Sequence, residues 1–123
     1  MALGRDAAAE LSQAVSTGRF TLTPDAAREA AGHYEWFAGE MVARQDELRR
    51  LQRLDGFGGF ESSKRLQQGF EQKACQAFDA YKTAEESAHR MAAAIYQSAS
   101  LIDEAEASNA DAIKAANRSM REN

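Results

Sequence analysis

The sequence has little of what most fold classes require. Its single proline, Pro24, leaves long stretches in which nothing forces a helix to stop. Its single cysteine, Cys75, excludes an internal disulfide framework. The expected place for that thiol is as a small buried apolar side chain. Leu, Ile, Val and Phe together number 19, against 26 alanines. Any core is therefore thin and built from small side chains, which favours packing against a second chain. The longest apolar run, Met91 to Tyr96, is far too short for a membrane span. The first residues carry no apolar stretch of signal-peptide length, so general secretion is not expected. Basic residues do not dominate: 15 face 19 acidic ones, for a net charge of −4. That balance argues against a nucleic-acid partner, which selects for a basic stripe.

What the sequence has is helical periodicity in an alanine-rich background, and alanine is the best helix former. Residues 5–17 place Ala8, Leu11 and Val15 on one face of a short helix that Gly18 ends. A short extended connector follows. Thr23-Pro24-Asp25 then starts a long helix: Thr23 suits the N-cap, Pro24 the first helical position, and Asp25 the positive helix end. Ala27, Ala30, Tyr34, Phe37, Met41, Leu48 and Leu51 recur at steps of 3, 4 and 7, a heptad seam over 24–53. Residues 54–62 form a turn rich in glycine and phenylalanine, with Gly56, Phe57, Gly58, Gly59 and Phe60 as its motif, and both phenylalanines are expected to tuck back onto the helix ends. Ser62 or Ser63 is the expected cap of a second long helix over 63–116, and 117–123 form a tail. Its seam reads Leu66, Phe70, Ala77, Tyr81, Ala84, Ala88, Met91, Ile95, Ile102 and Ala105. At 1.5 Å per residue this helix would be roughly 80 Å long, far longer than the first. The N-terminal helix is expected to cover the excess near Leu101, Ile102 and Ala105.

These elements give one all-α domain over 1–123. It is an antiparallel hairpin of two long helices with a short N-terminal helix, dimerising into a four-helix bundle. Tyr34, Trp36, Phe37, Met41, Phe78, Tyr81, Met91 and Ile95 are the candidate partner interface, since Tyr and Trp are common interface anchors.

Signals for catalysis are weak. Glu86-Ser87-Ala88-His89 has the Glu-x-x-His spacing of di-iron bundles, with Glu29, Glu35 or Glu40 as further carboxylates. Ala88 holds the seam, so Glu86 and His89 are expected to be solvated. Cys75 has no visible activating base. The sequence therefore reads as non-enzymatic, without catalytic residues, cofactor or metal. Arg44, Arg49, Arg50, Arg53, Lys64 and Arg65, interleaved with acids, read as a solvated helix end.

A helix, a glycine-aromatic turn and a second helix, in about a hundred residues, resembles the WxG helical hairpins secreted by type VII (ESX) systems, over roughly residues 24–116. Leu54-Asp55-Gly56-Phe57-Gly58-Gly59-Phe60 is similar to the turn of ESX-associated actinobacterial relatives in which a Gly-Phe turn replaces W-x-G. The extension from Gly18 to Pro24 is similar to theirs too. The resemblance implies a dimer subunit that is exported, or that targets or chaperones a larger effector. Its partner would be another helical hairpin, a second copy, or the N-terminal helical domain of an effector. It would be cytoplasmic before leaving by a route that needs no signal peptide. The family's export signal is Y-x-x-x-D/E. Tyr96 meets Ser100 at that spacing, whereas Tyr81 and Glu85 match it from mid-helix and are the candidate signal. A cytosolic homodimeric coiled-coil adaptor and a metal-binding bundle are the alternatives.

Overall fold

The computed structural model describes residues 4–51 and 56–120. They form four helices: α1 Arg5–Ser16, α2 Pro24–Arg49, α3 Glu61–Ser98 and α4 Ile102–Ala116. The hub is α3, on which α1, α2 and α4 all pack. Alanine dominates the contacts: Ala27, Ala31 and Ala38 of α2, Ala92 and Ala94 of α3, and Ala112 and Ala115 of α4 are essentially fully buried. Such small side chains bring helix axes close together. At the end of the bundle farthest from the glycine turn, Ala27, Ala31, Ala92 and Ile95 form a cluster. Leu11, Leu22, Tyr96 and Leu101 close over it.

The helix ends follow local chemistry. The Thr23 hydroxyl accepts from the Ala26 N–H at 3.3 Å, and Pro24 takes the first position of α2. α1 closes in a Schellman motif: the Arg19 N–H donates to the Ala14 carbonyl at 2.9 Å and the Gly18 N–H to Val15 at 3.1 Å. Gly18 sits there at φ 76°, in the left-handed region that glycine enters without penalty.

The expected 63–116 helix is broken. α3 ends at Ser98 in a second Schellman motif, with Leu101 N–H donating to Tyr96 at 3.0 Å and Ser100 N–H to Gln97 at 2.9 Å. Ser100 takes the left-handed position at φ 60°, where glycine is usual. The chain then reverses, and α4 buries Ala105, Ser108, Ala112 and Ala115 against α3. Those positions step 3, 4, 3, a stripe that a straight helix would leave in water. Leu101, not Ile102, enters the cluster, and Ile102 stays exposed. The excess length of the second helix is therefore covered by its own reversal.

Other expectations are also corrected. α2 ends at Arg49 with Arg50 as its C-cap, and Arg53, Leu54 and Asp55 lie outside the described residues. Gly56 and Gly58 take positive φ, and the Phe57 ring lies 6.0 Å from that of Phe70. Phe60 does not tuck in: it is 79% exposed and is itself the N-cap of α3, so Ser62 and Ser63 lie inside the first turn and cap nothing. Cys75 is exposed, on the half of α3 that only α2 accompanies.

Candidate functional site

Two features of α3 stand out, a buried charge cluster on one side and an open apolar groove on another. The cluster arises because every position from Ala84 to His89 is buried. Glu86 and His89 are therefore not solvated, and they do not face one site. Glu86 pairs with Arg5 at the start of α1 and with Arg90 Nε at 2.9 Å. His89 turns the other way, toward α2 and α4. Its Nδ1 lies 2.9 Å from Glu35 Oε2, and its Nε2 lies 3.8 Å from Glu85 Oε2. Ser108 of α4 donates to Glu35 Oε1 at 2.7 Å. Of the three further carboxylates offered by α2, Glu35 joins His89, while Glu29 and Glu40 are exposed.

Glu85 is 1% exposed. Arg118 grips it with both arms of its guanidinium, at 2.7 and 2.9 Å, and Gln45 Nε2 donates at 2.9 Å. Arg118 follows α4, so this bond holds the segment after α4 against the bundle. Lys82 Nζ donates to the Arg118 carbonyl at 3.2 Å, and the Arg49 guanidinium donates to the Ser119 carbonyl at 3.2 Å. Arg49 also pairs with Asp46 and lies 5.1 Å over the Phe78 ring, so it is a packed residue rather than part of a solvated end.

Electrostatics follows from this packing. Burial opposes a charge on Glu85, but His89, Arg118 and Gln45 favour the carboxylate and hold its pKa down at about 2. Burial likewise opposes a charged His89, yet Glu35, Glu85 and Asp111 outweigh it and push its pKa up to about 9. Glu35 is lowered, with His89 and Ser108 overcoming the effect of burial. At neutral pH the cluster is an imidazolium among carboxylates, closed on one side by Arg118. Ser108 donates to Glu35, and Nδ1 of His89 makes no aligned hydrogen bond. Beside these groups lies a polar pocket of about 230 Å³, lined by Glu35, Glu85, His89, Asp111, Lys114 and Arg118 among others.

The groove runs along α2 and α3, with Gly4 at one edge. Tyr34 and Phe37 of α2, Ala84, Ala88 and Met91 of α3, and Gly4 line about 320 Å³ of almost wholly apolar space. Toward the glycine turn a second hollow of about 470 Å³ runs between Leu48, Leu51, Phe57, Phe70 and Ala77. Phe70, Ala77, Ala84, Ala88 and Met91 step 7, 7, 4, 3 and so share one side of α3. Tyr34, Phe37, Leu66 and Phe70 remain exposed along it.

The candidate interface residues thus separate. Tyr34, Phe37 and Met91 line the groove, and Met41 and Tyr81 are half-buried. Phe78 and Ile95 are buried within the chain and have no surface to offer a partner. Trp36 is 68% exposed but sits two residues from Tyr34, on a different side of α2. Of the candidate export signal, Glu85 is enclosed. Sequence reasoning missed Gln45, Asp111 and Arg118. The only available signal was the α4 stripe, which would have set Asp111 beside Ser108 on a helix folded back on α3. Among known proteins, no family model, curated protein or solved structure matches the chain.

Proposed function

We propose that this chain is a non-enzymatic dimer subunit of the type VII secretion-associated kind, exported with, or chaperoning, a helical partner. The observation that carries the proposal is the apolar seam left open along α2 and α3. Its occupant is a helical hairpin of a second chain, which would complete a four-helix bundle around the seam. Phe37 is 40% and Phe70 54% exposed, so covering each contributes about 1 kcal/mol, and the whole seam must be filled to offset the cost of association. The larger part of the groove's lining comes from α2 and α3, and polar groups are almost absent from its floor. Glu85 is bound by Arg118 and Gln45, so the proposal places the export signal on the partner instead of at Tyr81 and Glu85. Among the described residues no helix is long and apolar enough to cross a membrane.

The test is to compare culture filtrate with lysate in the native host, with and without the secretion motor ATPase, for the natural chain and for Phe37→Asp. Motor-dependent appearance of the natural chain, lost in Phe37→Asp while that variant still melts normally, is the expected result. Retention in the lysate regardless of the motor would overturn the secretion reading. A sedimenting homodimer in that case would leave a cytosolic adaptor as the better account.

A further inference from the structure

We propose that Glu35, His89 and Asp111 form a binding site for a divalent transition metal of the zinc class, joining α2, α3 and α4. One oxygen of each carboxylate and one nitrogen of His89 lie within 4.8 Å of one another. Zinc bonds of about 2.0–2.2 Å in a tetrahedron put ligand atoms roughly 3.4 Å apart. The Glu35–His89 pair, at 2.9 Å, is at ion-pair distance, so closing the site requires release of the Nδ1 proton to solvent, a parting of that pair by about 0.5 Å and an inward movement of Asp111, a half-buried side chain on the rim.

Two further observations point to a ligand. His89 is 9% exposed, and its Nδ1, 2.9 Å from Glu35 Oε2, makes no aligned hydrogen bond. Its other ring nitrogen faces Glu85, which Arg118 and Gln45 hold in place. That nitrogen lies 3.8 Å from Glu85 Oε2, and a small approach would give the carboxylate–histidine pairing that orients metal-binding histidines. Three protein ligands beside a polar pocket leave a fourth position for water. The nearby cations do not block it: Arg118 is committed to Glu85, and Lys114 is exposed and free to swing outward. Imidazole with two carboxylates suits zinc better than magnesium or calcium, which select oxygen alone.

The test uses the full chain after chelator treatment. Zn²⁺ is titrated against a chromophoric competitor, and Co²⁺ is added separately for its visible spectrum. The expected result is one Zn²⁺ per chain, a rise in melting temperature with Zn²⁺, and a Co²⁺ spectrum without a thiolate charge-transfer band. Asp111→Asn and Glu35→Gln, each first shown to keep its helical content, should weaken binding by about tenfold or more. Cys75→Ala should bind as the natural chain does. No saturable binding at micromolar Zn²⁺, unchanged affinity in both carboxylate variants, or loss of binding in Cys75→Ala would each overturn the site.

Discussion

Replacing Arg118 by alanine removes two of the three aligned hydrogen bonds that satisfy a carboxylate with 1% exposure. Against its ordinary value of 4.5, a folded-state pKa of about 2 for Glu85 corresponds to about 3 kcal/mol favouring the charged form. That figure is what remains after burial has opposed the charge, so His89, Arg118 and Gln45 together provide more than it. The Arg118 side chain is 26% exposed, so water screens part of its share. We expect Arg118→Ala to lose about 2 kcal/mol. For a domain of this size that is a fall in melting temperature of roughly 6–10 °C. Because the Glu85 pKa is depressed on folding, its stabilisation is present above 4.5 and lost as pH falls toward 2. The gap between natural chain and variant should therefore be widest near neutrality and shrink in acid. Thermal melts followed by circular dichroism at pH 7 and pH 3 measure both. Arg118→Lys, which keeps the charge but loses the two-armed grip, should fall between. A melt within a degree of the natural chain at pH 7, or a gap of the same size in acid, would refute the reasoning.

The other expected outcomes follow from single features. His89 is raised on folding, so its contribution is complete below 6.5 and lost as pH rises through about 9. With chelator present, natural-chain stability should decline across that window, and His89→Gln should flatten the decline in alkaline melts. Ser100 sits at φ 60°, a conformation that costs a non-glycine residue about 1–2 kcal/mol. Allowing for glycine's greater freedom when unfolded, Ser100→Gly should stabilise by about 0.5–1 kcal/mol in denaturant titration. Phe57→Ser should cost about 1–2 kcal/mol through its lost contact with Phe70. Phe60→Ser, at a side chain 79% exposed, should change stability by no more than about 0.5 kcal/mol. Equal effects of the two phenylalanine variants would show that the turn packs differently.

The all-helical class was legible because alanine content, heptad steps and the Thr23-Pro24 start all act locally. The break at Ser98–Leu101 was not. Its signal is normally glycine or proline, and the sequence offers only Ser100, which pays a conformational penalty to turn there. The seam count passed across the break because Ile95 and Ile102 are seven apart, although only Ile95 is buried. The charge cluster was hidden for the same reason. With a straight helix, Asp111 and Arg118 project far from Glu35 and Glu85, and Glu86 and His89 fall on a solvated face. Folding α4 back encloses those residues, and each then finds partners from a different helix. Tyr34, Trp36 and Phe37 all entered the candidate interface on residue type, and 100° per residue sets Trp36 on a different side of α2 from Tyr34.

The two ends of α3 are covered to different extents. Toward the alanine cluster α3 has three neighbouring helices, whereas α1 starts opposite Ser87 and the segment after α4 reaches back only as far as Lys82. From Glu61 to about Ala80, α3 therefore relies on α2, with Leu66 and Phe70 still in water. Segments with few buried apolar contacts open at lower free energy than the enclosed core. Amide hydrogen exchange of the isolated chain should accordingly be faster around Leu66 and Phe70 than around Ala92 and Ala94. A partner that fills the seam binds the packed α2–α3 pair and not the opened one. It should slow exchange at the turn end first and make the melting temperature depend on concentration. If the isolated chain protected both ends equally, the turn end would need no cover, and the open seam would lose its force as evidence for a partner.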